Sequence, residues 1–254
     1  MLEFVVIVES SVDAEIATKL AERVLVEKID WLEDDQLQHL FRWSGLQENT
    51  KHSCWKDIRN IIERAKEAGL HIPKFRGHSK SGAIKADGAA SIKILNLVRL
   101  LQKNRKIKAV LFIRDLDNQL ERREGIEQAR LEHLERQPKL EIIMGMADRM
   151  REAWVLNGFN PSNPKEIQTL EKITIQLSFN PCEESHRLRS NSREEPERVR
   201  NPKVVLEELT GNDKPREQQC WEETSLKLLR QRGSNTGLAA YLQEIEQRLV
   251  PIIP

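Results

Sequence analysis

Two stretches of the chain are apolar at every position, not at every second or every third to fourth. Phe4–Val8 and Val110–Ile113 are too short for typical helices and apolar on both faces, the pattern of a strand covered by helices on each side. Leu140–Met144 repeats it with one interruption, Glu141. Between these runs the period changes. Ala17, Leu20, Ala21, Val24 and Leu25 fall on one helical face, behind Ser10 and Asp13 at capping-box spacing. Ile58, Ile61, Ile62 and Ala65 form a second such face, closed by Gly69, and Ile94, Leu95, Val98 and Leu101 a third. Leu120–Arg136 is a charged helix with a thin apolar stripe, and another helix starts near Ala147. Strand and helix thus alternate over residues 4–158, which predicts an α/β domain: a parallel central sheet flanked by helices.

Some stretches carry weaker patterns. Residues 28–54 hold Trp31, Phe41 and Trp43 without a clean period and read as a partly helical insertion; Leu70–Phe75 reads as a weak strand broken by Pro73. Beyond residue 160, Val204–Leu209, Trp221–Leu229 and Leu238–Leu249 show helical spacing, with Gly211 and Gly233 as stops. The expected organisation is an α/β domain over residues 1–160 and a helical C-terminal subdomain over 161–254. Within the latter, residues 186–202 are charge-dense with little to bury, and read as an exposed loop.

Charge narrows the picture. Forty-one basic against forty acidic side chains leave a net charge of +1, so a nucleic-acid partner has to be met by local patches. Cys54, Cys182 and Cys220 form no CxxC pair, which argues against a disulfide framework and against structural zinc. The first residues lack a basic segment and a signal-peptide core, and no segment approaches the roughly 20 apolar residues of a membrane span; the expected location is cytoplasmic, with no membrane partner.

The candidate chemistry lies where the strands end. Glu9 follows the first apolar run, Asp115 and Asp117 follow the second, and Asp148 and Glu152 follow the third. In an open parallel sheet those carboxyl ends share one edge, where ligands collect. Carboxylates gathered there repel one another, and a divalent cation resolves the conflict. Mg²⁺, or Mn²⁺ in its place, takes one or two carboxylates and keeps waters for substrate phosphates, which points to phosphoryl transfer or phosphodiester hydrolysis. Asp115 and Asp117 would then be metal ligands, and Glu9 a further ligand or the general acid or base. Glu152 is a candidate ligand, with Asp148 and Asp13 as additional acids. The alternatives are an ordinary turn for Asp115 and Asp117, a helix cap for Asp13 and a surface acid for Glu152. The loop at residues 77–85, with His78, Lys80 and Lys85 among Gly and Ser, is either a phosphate-approaching loop or a solvated one; it lacks the Gly-Lys-Ser/Thr close of a Walker A motif. The single tyrosine, Tyr241, lies on a predicted apolar stripe, which disfavours covalent topoisomerase chemistry.

VVIVESSVDAE resembles the first motif of TOPRIM domains, VLFIRDLDNQ their DxD motif, and IIMGMADRMREAW, ending in Glu152, Ala153 and Trp154, the segment after the third core strand in small bacterial TOPRIM-like proteins related to OLD-family nucleases. NPKVVLEEL and SNTGLAAYLQEIEQRLVP are similar to the tail of that group. The resemblance implies a Mg²⁺-dependent nuclease acting on DNA or RNA, with Glu9 as general acid or base and Asp115 and Asp117 as ligands. It also implies a role in antiphage defence beside a separately encoded ABC/SMC-type ATPase. A homo-oligomer is a further candidate partner that the sequence leaves open. Ser10 departs from the family, where glycine commonly follows the glutamate. The rival expectation is a non-catalytic or regulatory partner subunit of an ATPase complex.

Overall fold

The computed structural model describes residues 1–73, 78–79 and 82–254. In chain order the first elements are β1 (Leu2–Val8), α1 (Ser11–Lys28), α2 (Leu37–Leu40), β2 (Phe41–Ser44), β3 (Ser53–Cys54) and α3 (Ile58–Glu67). They are followed by β4 (His78–Ser79), β5 (Gly82–Ala83), α4 (Gly88–Leu101), β6 (Ile107–Asp115), α5 (Glu121–His133) and β7 (Glu141–Ala147). The remaining helices are α6 (Glu152–Gly158), α7 (Pro164–Leu177), α8 (Pro202–Thr210), α9 (Lys214–Glu222), α10 (Leu226–Arg232) and α11 (Leu238–Glu244), the last continuing into a π turn over Ile245–Leu249.

The protein is α/β, with the expected parallel central sheet. Its strand order is β2-β1-β6-β7, with β3 also paired to β1. The register sets Val6 opposite Leu111 and Ile7 opposite Phe112. Phe4–Val8 and Ala109–Phe112 are fully buried, as their two-faced apolar character requires. Since β6 occupies one edge of β1, β2 (opposite Leu2–Val5) and β3 (opposite Ile7 and Val8) share the other. Residues 28–54, expected as an insertion, therefore extend the sheet. Phe4, Phe41 and Trp43 pack their rings there at 4.6–5.6 Å. The expected strand at Leu70–Phe75 is not formed over residues 70–73, and Lys74 and Phe75 lie outside the described residues.

Two compact units divide the chain: Met1–Met146 with Glu244–Pro254, and Ala147–Gln243. In the first, Ile245 and Leu249 are fully buried and the π turn packs on α1. Arg130 binds Glu244 at 2.8 Å, and Lys28 lies 3.0 Å from Glu246. In the second, Trp154 stacks on Tyr241 at 5.3 Å, and the Asn157 amide donates to the Ser185 hydroxyl and accepts from Thr236. Residues 186–202, expected as a loop with little to bury, are tied down in this unit. Leu188 and Asn201 are buried, Asn201 caps α8, and Arg193 and Arg198 pair with Glu207 and Glu208. The charges that make the segment look unstructured in sequence are used in pairs.

No described helix is long and apolar enough to cross a membrane.

Candidate active site

Glu9 leaves β1 one residue after Val8, and Asp115 ends the adjacent parallel strand β6. The register brings them level. The Asp115 amide donates to Glu9 Oε1 at 3.3 Å, and Arg114 Nη1 donates to the same oxygen at 2.7 Å. Burial pushes the Glu9 carboxyl above its usual pKa; Arg114 and the Asp115 amide oppose that, and the charges of Asp117 and Asp13 reinforce it.

Arg114 also reaches a residue that the sequence did not single out. Its Nε lies 2.7 Å from Asp87 Oδ2. Asp87 precedes α4 with a left-handed backbone, φ 61°, and its side chain binds Arg114 instead of capping the helix. Gly125 of α5 makes this placement possible: a Cβ there would fall 2.0 Å from the Ala86 carbonyl oxygen.

The chain of charges continues through α5. Arg122 Nη1 donates to Asp117 Oδ2 at 2.8 Å and to the Asp115 carbonyl at 2.6 Å, and its Nε lies 3.8 Å from Asp87. Carboxylates and guanidiniums thus alternate as Glu9, Arg114, Asp87, Arg122, Asp117. Asp117 and Asn118 both adopt positive φ, 46° and 63°, a conformation that Asp and Asn tolerate better than most residues at some cost in strain. This turn carries Asp117 back toward Arg122.

Trp55 supports Arg114 from outside the acids. Its indole Nε1 donates to the Ile113 carbonyl at 2.8 Å, its ring stacks on Phe112 at 5.5 Å, and the Arg114 guanidinium lies 5.3 Å from the ring centroid.

The other sequence candidates have other placements. Asp13 completes the expected capping box: its carboxylate accepts from the Ser10 amide at 2.7 Å, and its own amide donates to Ser10 Oγ at 3.4 Å. Asp148 and Glu152 belong to the second unit. There Asp148 pairs with Arg189 at 2.9 Å, while Glu152 is buried in the first turn of α6 with Oε1 3.4 Å from Arg151. Lys85 is exposed, 3.1 Å from Glu121. His78 lies in the short antiparallel ladder of β4 and β5, with its side chain outside the described residues, as is Lys80 altogether. Tyr241 is fully buried.

Among the described residues, no three His, Cys, Asp or Glu side chains stand together so as to hold a metal ion. The donor chemistry still suits Mg²⁺, which takes only one or two carboxylates and completes its shell with water and substrate oxygen. Glu9 and Asp117 are hard oxygen donors on neighbouring strand ends, and a cation reaching them would replace the arginine that each now binds. No family model, curated protein or solved structure matches this chain.

Proposed function

We propose that the protein is a Mg²⁺-dependent, TOPRIM-type nuclease that hydrolyses phosphodiester bonds in DNA or RNA. The observation that carries this reading is Glu9 Oε1 at the end of β1 accepting from the Asp115 amide at the end of the adjacent parallel strand. It places an acid with a raised pKa at the sheet edge where a ligand is expected. In this reading Asp115 and Asp117 hold Mg²⁺ or Mn²⁺, which when bound neutralises charge on the phosphoryl group. Glu9 moves the proton, taking it from the attacking water or giving it to the leaving oxygen. Asp87 orients Arg114 and hence Glu9. The resemblance to OLD-related proteins extends the proposal to antiphage defence with a separate ABC/SMC-type ATPase.

The second reading is a non-catalytic subunit of such a complex. It is favoured by one observation: Glu9, Asp87 and Asp117 are each already paired with an arginine, Arg114 serving both Glu9 and Asp87.

The deciding experiment incubates the protein with plasmid and with RNA in Mg²⁺ or Mn²⁺, alone and with any ABC/SMC-type ATPase encoded beside its gene. Cleavage lost in Glu9→Gln and Asp117→Asn supports the nuclease. Its rate should change with pH around a Glu9 pKa above the ordinary 4.5. Cleavage that survives both substitutions removes the site assignment, and absence of cleavage under every condition favours the second reading.

A further inference from the structure

A cleft of about 560 Å³ lies in the first unit beside Trp55, between α3 and α4. Ile58, Ile62 and Ala90 line it with Trp55, and four cations, Lys56, Arg59, Lys66 and Lys93, stand around it against one carboxylate, Glu63. Glu63 is engaged by Arg59 at 3.2 Å. Lys56, Lys66 and Lys93 are exposed, and no carboxylate among the described residues forms an ion pair with them. A protein of net charge +1 therefore concentrates unneutralised positive charge around one apolar-floored concavity.

We propose that this cleft binds a single strand of nucleic acid, with its phosphates against Lys56, Lys66 and Lys93 and an unstacked base over the apolar floor. The inference rests on the nuclease reading for the identity of the polyanion, and on the cleft for its location. A volume of this size accommodates a nucleotide-sized group. A duplex keeps its bases stacked inside and offers nothing to the floor, whereas a single strand presents both backbone and base. Trp55 links the cleft to the acids: it lines the cleft and also carries Arg114, which holds Glu9.

The test is the binding of a fluorescein-labelled oligothymidylate, followed by anisotropy in EDTA across a salt series, so that no hydrolysis contributes. The expected result is salt-sensitive binding that Lys56→Gln, Lys66→Gln and Lys93→Gln together weaken by roughly a hundredfold at about 0.1 M salt. Loss of three phosphate contacts should flatten the log–log salt slope by about 2. A control triple at exposed positions near the other end of β6, Lys103→Gln, Lys106→Gln and Lys108→Gln, should bind as wild type. Equal effects of the two triples, competition by duplex DNA or poly-glutamate as strong as by the single strand, or no binding by wild type would each overturn the proposal. The two readings fail separately. Cleft-dependent binding without cleavage of DNA or RNA under every metal and partner condition keeps the cleft and removes the nuclease; cleavage whose KM ignores the cleft triple does the reverse.

Discussion

Arg114 Nη1 lies 2.7 Å from Glu9 Oε1, so the carboxylate at the end of β1 is held by a cation from the neighbouring strand. Both side chains are partly buried, and the guanidinium is fixed on its other side by Asp87. An arginine in this position does part of what a divalent cation would do: it lets acids stand close together without mutual repulsion.

Metal and arginine should therefore compete. Mn²⁺ is expected to raise the thermal midpoint of the wild type by mass action. Arg122→Gln, which releases Asp117, should enlarge the rise over its own metal-free baseline, and Asp117→Asn should blunt it. Differential scanning fluorimetry across a Mn²⁺ series reads this directly. Identical increments in all three proteins would mean that Asp117 takes no part in metal binding.

His133 gives a pH-dependent stability. It is fully buried in the last turn of α5, and neither ring nitrogen finds a hydrogen-bond partner among the described residues. Burial, with Arg136 and Arg99 nearby, holds its pKa down at about 3. The unfolded chain, with an ordinary value of 6.5, then binds the extra proton between pH 6.5 and about 3, so stability falls as the pH drops through that window. The steepest contribution is about 1.4 kcal/mol per pH unit. Urea unfolding of wild type and His133→Leu across this range should show a shallower acid limb in the variant. Parallel limbs would remove His133 as the cause.

These features differ in how far the sequence announced them. β1, β6 and β7 are legible because a strand buried on both faces leaves a continuous apolar run, and the Ser10–Asp13 cap because it is local. β2 is not legible: Phe41–Ser44 alternates Phe, Arg, Trp and Ser over four residues, and only pairing with distant β1 makes it a strand. Glu9 and the two aspartates stand out as strand-end acids. Asp87 does not, since its partner Arg114 is 27 residues away and its placement depends on Gly125 of another helix. Arg114 and Arg122 were hidden for a related reason: a charge beside a carboxylate in sequence says nothing about which carboxylate it binds.

In the second unit, Glu166 and Arg216 should carry a measurable share of stability. Arg216 grips both carboxylate oxygens, at 2.9 and 3.0 Å, and its guanidinium lies over the Phe159 ring at 4.6 Å. The Arg216 hydrogen bonds, helped by the Ser162 amide against the effect of burial, bring the Glu166 pKa down to about 2. A depressed carboxyl contributes stability above its ordinary 4.5 and loses it as the pH falls toward 2. Glu166→Gln is expected to cost about 3 kcal/mol at neutral pH, as breaking a buried pair does, and much less near the acid end of that window. Urea denaturation at the two pH values measures the difference; an equal cost at both would show that charge is not what the pair contributes.

The return of Glu244–Pro254 to the first unit makes that unit discontinuous along the chain. Its sheet is encoded early, but the Ile245 and Leu249 side chains that complete its packing are translated only after every residue of the helical unit. The first unit therefore needs both ends of the described chain, and α1 is covered by the π turn only when Ile245 and Leu249 are in place. Truncation after Gln243 would strike the strand-end acids' own scaffold while leaving the helical unit's residues intact.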